Sequence, residues 1–387
     1  MQLLAGFRGS GKTTVLLELR EELKRQQFVV LSADVSGYHD LTADVTAESL
    51  LVALIASIGE AAEAEHKNAL LAAQTSFIKR VAALFGASIA LDDTVNLKAL
   101  RFQLQAGAPL PERLRTTLSD PEGPLLGAFR AFFTELAASY RGAAVVLLFD
   151  GLEKIQSSID ETAAAYRRLT DFFVRYGSSL RFDGMHAVYV VPPQSLVLAP
   201  QLENVRIVPS VRIASRRPER ARDDDGYRAL AAVLASRFDV DAIFGGVGSE
   251  TTAEIVAASG GHLRLLQRLA ADVIGAALST SGLGDPALPI EAGFARQTIE
   301  RGAILKRDAA RRMRSTLEKQ AKSGDAGGLA PEQLDRMAVA LNQEQVLAYV
   351  SGELWYDVQP LVRPVLRETA LGETALGETA LRESGAT

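Results

Sequence analysis

The spacing of apolar residues over the first half of the chain follows two periods, one typical of strands and one of helices. Five short apolar runs predict strands that are buried on both faces: 3–5, 28–34, 143–149, 186–191 and 205–208. Four longer stretches repeat apolar residues at helical spacing: 14–25, 48–65, 125–140 and 162–177. In the first of these helices, the predicted inward face comprises Val15, Leu16, Leu19 and Leu23. This alternation predicts an α/β core with a parallel sheet.

The pattern changes after this core, and helical periods dominate. Helices between about 226 and 281 predict a small helical lid, and residues 290–322 predict one long helix. A short helix at 331–341 is followed by two apolar runs around Ser351-Gly352, which is a hairpin signal. Helix, helix and hairpin in this order are typical of a winged-helix fold. Trp355 and Tyr356, in the second run, are predicted to be core or partner contacts rather than base-stacking groups.

These patterns predict three folded regions and a tail. The predicted divisions are a core at 1–213 with an insertion at about 66–120, a helical lid at 214–285, a winged-helix-like α+β domain at 286–366 and a tail at 367–387. The tail repeats a five-residue unit that fits neither a helix nor a strand, so we predict that it is mostly disordered.

Composition excludes several classes of function. The 387 residues contain no cysteine, which excludes disulfides, thiol nucleophiles and cysteine-bound metals. The four histidines show no metal-ligand spacing. The net charge of −5 argues against a nucleic-acid binder that is basic throughout. The longest apolar run, 143–149, is too short to cross a membrane, and we expect a soluble cytoplasmic protein.

The most informative motif follows the first strand. Residues 6–13, GFRGSGKT, fit the phosphate-binding pattern G-x-x-x-x-G-K-[ST] in full. Glycines allow successive backbone N–H groups to face the phosphates, Lys12 supplies a charge for the terminal phosphates, and the Thr13 hydroxyl can hold Mg²⁺. The predicted nucleotide contacts in this segment are Gly6, Arg8, Gly9, Ser10, Gly11, Lys12, Thr13 and Thr14. Arg8 can equally be an exposed loop arginine.

A phosphate loop needs a second acidic group, which we expect at the end of a neighbouring parallel strand. Asp150 directly follows the apolar run 143–149 and is the predicted partner of Thr13 for Mg²⁺. Many rapid ATPases place a glutamate after this aspartate to polarise the attacking water, but here Gly151 follows. Glu153 is the next candidate for the catalytic base, or else a carboxylate in the first turn of a helix. We therefore expect slow hydrolysis.

Five stretches together resemble the AAA+ and STAND branch of P-loop NTPases, and within it bacterial stand-alone ATP-binding proteins. They are residues 5–13, 148–154, 189–193, 259–264 and 355–362. The resemblance implies an ATPase core, a helical lid and a winged-helix-like end, with ATP and Mg²⁺ as ligands. It places Arg264 where a lid arginine senses the γ-phosphate. The residues alone leave Arg264 open between that role and a solvated arginine. Gln194 and Ser195 are weak substitutes for the polar residue that usually closes the sensor strand.

A basic segment at 296–322 leaves a second function open. It holds nine basic residues and three acidic ones, and could bind a phosphate backbone or form a solvated amphipathic helix. The first hypothesis is therefore an ATP-dependent signalling switch, with a defence role suggested by the resemblance. It would act through a protein partner or effector in another chain, and a homo-oligomer is consistent with it. The alternative is a DNA-binding ATPase that resembles origin-recognition or transposition helper proteins. A third hypothesis is a scaffold that binds nucleotide without cleaving it.

Overall fold

The computed structural model describes most of the chain in two compact units. The described residues are 1–38, 46–65, 124–140, 142–154, 162–216, 219–280, 287–324 and 329–367. The units are Met1–Val208 and Pro209–Thr387. The predicted insertion at 66–120 and the repetitive tail from residue 368 onward lie outside the described residues. The predicted separation of lid and winged-helix-like domain stays a prediction.

The first unit alternates strands and helices, as the apolar periods predict. Its strands are β1 (Gln2–Gly6), β2 (Val29–Asp34), β3 (Val145–Asp150), β4 (Met185–Val191) and β5 (Val205–Val208). Its described helices are α1 (Lys12–Arg25), α2 (Ala47–Glu65), α3 (Pro124–Ser139), α4 (Thr162–Tyr176) and the short α5 (Ser195–Leu198). Single 3₁₀ turns follow β2 at Val35–Gly37 and β3 at Leu152–Lys154. The α/β class of this unit is confirmed.

The five strands form one parallel sheet in the order β2-β3-β4-β1-β5. The strand that precedes the phosphate loop, β1, pairs with β4 and β5. The strand that ends in Asp150, β3, pairs with β2 and β4 instead. The expectation that Asp150 lies on a strand neighbouring β1 is therefore wrong, because β4 runs between them. All five strands nevertheless end at the same edge, where ligands bind in sheets of this kind.

Both faces of the sheet are covered by helices. On one face α2, α3 and α4 bury side chains such as Leu54, Phe129 and Phe173, each with 1% or less of its surface exposed. On the other face α1 contributes Leu16 to a smaller cluster. Val15 is 40% exposed, so its predicted inward position is wrong. The buried stripe of α1 runs through residues 12, 16, 19 and 23, and Val15 lies one residue to the side of it.

The second unit consists mainly of helices. Its described elements are α6 (Asp224–Ala235), α7 (Val240–Phe244), α8 (Glu250–Ser259), α9 (Leu263–Thr280), α10 (Ala292–Gly302), α11 (Ile304–Arg312), α12 (Arg314–Ser323), α13 (Pro331–Asn342), β6 (Val346–Ser351), β7 (Glu353–Val358) and a 3₁₀ turn at Pro360–Val362. Strands β6 and β7 form an antiparallel hairpin around Gly352, as predicted. Trp355 and Tyr356 are 3% and 4% exposed, so of the two predicted alternatives they are core contacts. The winged-helix assignment stays a prediction.

The predicted single helix over 290–322 is wrong. Three helices, α10, α11 and α12, replace it, with breaks at Ala303 and Met313. Each segment packs on a different neighbour: α10 on α8, α11 on the turn at Pro360–Val362, and α12 on β7. A straight helix could not reach all three, so tertiary packing overrides the local helical pattern. No described helix is long and apolar enough to cross a membrane.

Candidate nucleotide site

The loop between β1 and α1 has the backbone shape that phosphate binding requires. Gly9 and Gly11 have φ angles of 82° and 96°, in the region that favours glycine. A Cβ atom at Gly6 would lie 2.9 Å from Ser10 Oγ and 3.0 Å from the Val208 carbonyl oxygen. Gly11 is the N-cap of α1 and has no side chain that could cap it. The first N–H groups of α1 therefore remain directed toward an anion.

Lys12 is folded back onto its own loop. Its ammonium group donates hydrogen bonds to the carbonyl oxygens of Gly6 at 2.9 Å and Phe7 at 2.7 Å. It also lies 3.6 Å from Glu153 Oε1. The two side chains are only 3% and 6% exposed, so this charge pair is almost fully removed from water. Lys12 must exchange these partners before it can contact a phosphate.

Thr13 and Asp150 meet across the edge of the sheet. The Thr13 hydroxyl donates a hydrogen bond of 2.8 Å to Asp150 Oδ2, although 137 residues separate them in the chain. Asp150 Oδ1 accepts a bond of 2.8 Å from the N–H of Gly151. A hydroxyl and a carboxylate at this distance offer the oxygen ligands that Mg²⁺ prefers. The residues present therefore fit a magnesium ion held beside the phosphate loop.

The surroundings of position 151 favour glycine over the glutamate that usually follows this aspartate. Its φ angle is 95°, and a Cβ atom there would collide with Asp34 Oδ1 and lie 2.9 Å from Ser36 N. Asp34 at the end of β2 accepts hydrogen bonds from Ser36 N at 3.0 Å and from Lys154 Nζ at 2.8 Å. Because this cluster fills the space beside residue 151, any side chain there would force Asp34 and Ser36 to move. The next carboxylate in the chain is that of Glu153, two residues later, and its role as catalytic base stays a prediction.

The carboxyl groups of Glu153 and Asp34, which lie near Gly151, have pKa values shifted in opposite directions. Burial raises the pKa of Glu153 above its ordinary value of 4.5; the charge of Lys12 opposes this shift, and the charge of Asp150 adds to it. Burial also acts to raise the pKa of Asp34, but hydrogen bonds from Lys154 and Ser36 outweigh it and hold that pKa below 3.8. Glu153 Oε2 accepts a hydrogen bond of 3.2 Å from Gly151 N, which orients the carboxyl. Glu153 thus has the environment of a tuned acid–base group.

Comparison with known proteins places this site in a family. Residues 1–174 match the family profile described as AAA ATPase domain. The chain carries an AAA ATPase domain. Two solved structures are also similar: the ORC2 protein of Aeropyrum pernix in ADPNP and ADP complexes, and Cdc6p of Pyrobaculum aerophilum. Their identities are 12% and 11%, their TM-scores are 0.38 and 0.29, and in both cases 95% of this chain and 88% of the other are covered. The search among curated proteins found no match.

The remaining predicted contacts of the AAA ATPase domain lie around the loop. Arg8 and Thr14 are exposed, and Ser10 is 5% exposed. Arg8 lies near the phenol of Tyr166 on α4: burial raises the pKa of Tyr166 to about 12, while the charge of Arg8 opposes the shift. The roles of Arg8, Ser10 and Thr14 in nucleotide binding stay predictions.

The two predicted sensor positions differ in their surroundings. Gln194 and Ser195 follow β4, the strand between the phosphate loop and Asp150, and are 2% and 1% exposed. Gln194 Oε1 has no hydrogen-bond donor among the described residues. Arg264 belongs to the second unit, where it is exposed in the first turn of α9. Its sensing of the γ-phosphate stays a prediction.

Sequence reasoning missed Asp34, Ser36 and Lys154 as parts of the AAA ATPase site. Asp34 ends a buried strand in the same way as Asp150, and the two are register partners on β2 and β3. That position was the available signal, because the carboxyl ends of adjacent parallel strands lie together. The contact with Gly151 depends on turn geometry, which no sequence pattern shows.

At least five of the nine basic residues in the segment 296–322 form ion pairs. Pairs form between Arg296 and Glu254, Arg307 and Glu300, Arg311 and Asp308, Arg314 and Glu318, and Lys306 and Glu344. Arg307 Nε also donates a hydrogen bond of 2.9 Å to the Leu361 carbonyl oxygen. These arginines contribute to packing and to charge balance within the second unit, which lowers the positive charge that the segment presents.

Proposed function

We propose that this AAA ATPase is a slow, nucleotide-controlled switch. The observation that carries the proposal is the buried pair of Lys12 and Glu153 beside Gly151. The carboxylate available to orient water is held by the lysine that must bind phosphate. Hydrolysis then requires a rearrangement of this pair, and we expect that requirement to make turnover slow.

The chain's own groups would divide the work as follows. Backbone N–H groups of the loop and the Lys12 ammonium bind the terminal phosphates, and Thr13 with Asp150 holds Mg²⁺. When bound, Mg²⁺ neutralises charge on the phosphates. Once Lys12 moves to a phosphate, Glu153 is left as a carboxylate that can accept a proton from water. Its raised pKa brings it closer to working pH than an ordinary glutamate.

The proposal also concerns the effector through which the switch acts. The described residues carry no second catalytic motif that we recognise, so the effector is proposed to be a partner protein in another chain. The STAND-type signalling role and a homo-oligomer belong to this proposal. The DNA-binding alternative depends on the segment 296–322, whose ion pairs weaken it.

Single-turnover hydrolysis of bound ATP with Mg²⁺, with and without duplex DNA, tests the proposal. A switch predicts slow cleavage, tightly retained ADP and a rate that DNA does not change. Acceleration by DNA, together with steeply salt-dependent binding, would favour the alternative. Rapid multiple turnover without any partner would contradict the switch, and a complete lack of cleavage would point to a nucleotide-binding scaffold.

A further inference from the structure

The second unit contains a cavity of about 330 Å³ that lies outside the nucleotide site. It is lined by residues of 213–214 and 220–227, α8, α10, the β6–β7 hairpin and the turn at Pro360–Val362. Four arginines line it: Arg220, Arg222, Arg296 and Arg363. The volume is in the range of small-molecule sites, and few such cavities occur per protein.

Positive charge is concentrated at one end of the cavity. Arg220 donates to both carboxylate oxygens of Asp357, and Arg363 Nη2 donates to Asp357 Oδ2 at 2.9 Å. The Asp357 carboxylate also accepts a bond of 2.8 Å from the N–H of Val358. Two guanidinium groups therefore share one carboxylate that is only 9% exposed, which leaves a surplus positive charge.

The other acidic groups of the lining are engaged by arginines other than Arg220 and Arg363. Glu254 is engaged by Arg296 from α10, and Glu300 by Arg307. Arg296 is shared with Glu250 at 3.4 Å, so the surplus positive charge is confined to the end formed by Arg220 and Arg363. An anion from outside the chain would find its counter-charge at Arg220.

Two buried N–H donors in the same lining lack an acceptor. Trp355 is 3% exposed, and its indole Nε1 has no hydrogen-bond partner among the described residues. Arg220 Nε is buried and also has none there. Buried donors are nearly always paired, so two orphaned donors in one cavity indicate that an acceptor is supplied by a ligand. Arg220 has a φ angle of 47°, a costly conformation that is more common at binding sites.

The cavity also offers apolar surface. Ile299 and Leu361 line it, and Tyr227 lies in the lining with the Arg222 guanidinium 3.9 Å above its ring. A ligand with an apolar or aromatic part would bury that part here, while its acceptor atoms met Arg220 and Trp355. Inorganic anions would leave this surface unused.

We infer that this cavity binds a small organic anion, a carboxylate or a phosphate ester with an apolar part, through Arg220 and the indole N–H of Trp355. The site lies wholly within the second unit and does not depend on the proposed switch. Binding there would give the AAA ATPase a small-molecule input separate from its nucleotide.

Trp355 is the only tryptophan in the chain, so its fluorescence reports on this cavity directly. Full-length protein is titrated with phenyl phosphate and with benzoate, and with benzyl alcohol as the neutral control. We expect a saturable change with one or both anions and none with benzyl alcohol; the responding anion identifies the acceptor group. The titration is repeated with Lys12→Ala, in which anion binding at the phosphate loop is removed. The change in Trp355 fluorescence must persist in this variant.

Variants decide whether the response comes from this site. Arg220→Gln is expected to weaken binding at least tenfold, whereas Arg228→Gln, an exposed arginine outside the lining, leaves it unchanged. Arg222→Gln, at an exposed lining position, gives a smaller loss and serves as the probe if Arg220→Gln does not fold. No saturable response to either anion would overturn the inference. So would equal affinity in all three arginine variants, or loss of the signal in Lys12→Ala.

Discussion

Two lysine–carboxylate pairs lie at the same edge of the sheet and differ in distance, in exposure and in the direction of the carboxyl pKa shift. Lys12 and Glu153 are 3.6 Å apart, and their side chains are 3% and 6% exposed. Lys154 and Asp34 are only 2.8 Å apart, and their side chains are 32% and 55% exposed. The closer pair has a carboxyl with a lowered pKa, and the more distant one a carboxyl with a raised pKa.

The difference teaches that burial, and not distance, sets the character of each pair. Glu153 loses hydration that a lysine 3.6 Å away does not fully replace, so its charge is held at a cost. Asp34 keeps water and gains three hydrogen bonds, from Ser36 N, Ser36 Oγ and Lys154 Nζ. The buried pair is therefore suited to switching and the exposed pair to holding Gly151 and β2 in place.

The largest effect is expected from Glu153→Gln. If Glu153 orients the attacking water, this change lowers single-turnover hydrolysis by about 100-fold or more while ATP still binds. Asp34→Asn is the matched comparison, since it alters a carboxyl at the same edge that contacts Ser36 and Lys154 and that the proposal does not place on the attacking water. A hydrolysis rate in Glu153→Gln equal to that in Asp34→Asn would remove Glu153 from the mechanism.

The next effect concerns the glycine between the two pairs. Gly151→Ala forces a Cβ atom against Asp34 and Ser36 at a positive φ angle, and we expect it to lower the free energy of unfolding by about 2–4 kcal/mol. Gly184→Ala is matched for φ, at 75°, but has no atom within 4 Å of the added Cβ. It should cost about 1 kcal/mol. Equal losses in urea unfolding would show that the collision has no effect.

The two pairs should also respond to pH with opposite signs. The raised pKa of Glu153 means that its contribution to stability is full below pH 4.5 and falls as pH rises through the folded pKa. The lowered pKa of Asp34 means that its contribution is present above pH 3.8 and is lost as pH falls. Urea unfolding between about pH 3 and pH 7 should therefore show the Glu153→Gln variant gaining on the wild type as pH rises. The penalty of Asp34→Asn should shrink as pH falls, and slopes of the same sign would contradict the comparison.

The smallest effect is expected at the exposed pair itself. A double-mutant cycle of Asp34→Asn and Lys154→Gln should give a coupling energy of about 0.2–1 kcal/mol, because both side chains are partly solvated. The measurement is urea unfolding of the wild type, the two single variants and the double variant. A coupling above about 2 kcal/mol would show that this pair behaves as a buried one.

Most of the first unit could be predicted from the sequence, because the patterns that define its strands and its phosphate loop are local. The strand boundaries follow from apolar runs, and the roles proposed for Lys12, Thr13 and Asp150 follow from a motif whose spacing reflects its chemistry. The Thr13–Asp150 hydrogen bond across 137 residues shows that the two side chains meet, although β4 lies between the two strands, and their binding of Mg²⁺ stays a prediction. Strand order within a sheet depends on crossover paths, which apolar periods do not encode.

Less of the second unit could be predicted from the sequence, because its structure depends on contacts between residues far apart in the chain. The segment 290–322 has one continuous helical pattern, yet packing on three neighbours divides it into α10, α11 and α12. The cavity beside Trp355 is lined by residues between 213 and 363, and although 355–362 is one of the stretches that carry the resemblance, no sequence pattern brings these residues together. The requirement for glycine at 151 likewise arises from Asp34, more than a hundred residues away in the chain.

The central claim is that Lys12 changes partners when nucleotide binds, and ATP affinity of Lys12→Ala tests it most directly. Removal of Lys12 leaves the buried Glu153 carboxyl without its positive partner. The double variant Lys12→Ala/Glu153→Gln is therefore measured beside the single variant, and thermal unfolding checks that both are folded. We predict that both bind ATP at least about 30-fold more weakly than the wild type, equivalent to about 2 kcal/mol, while remaining folded. Unchanged ATP affinity in a folded Lys12→Ala protein would contradict the site.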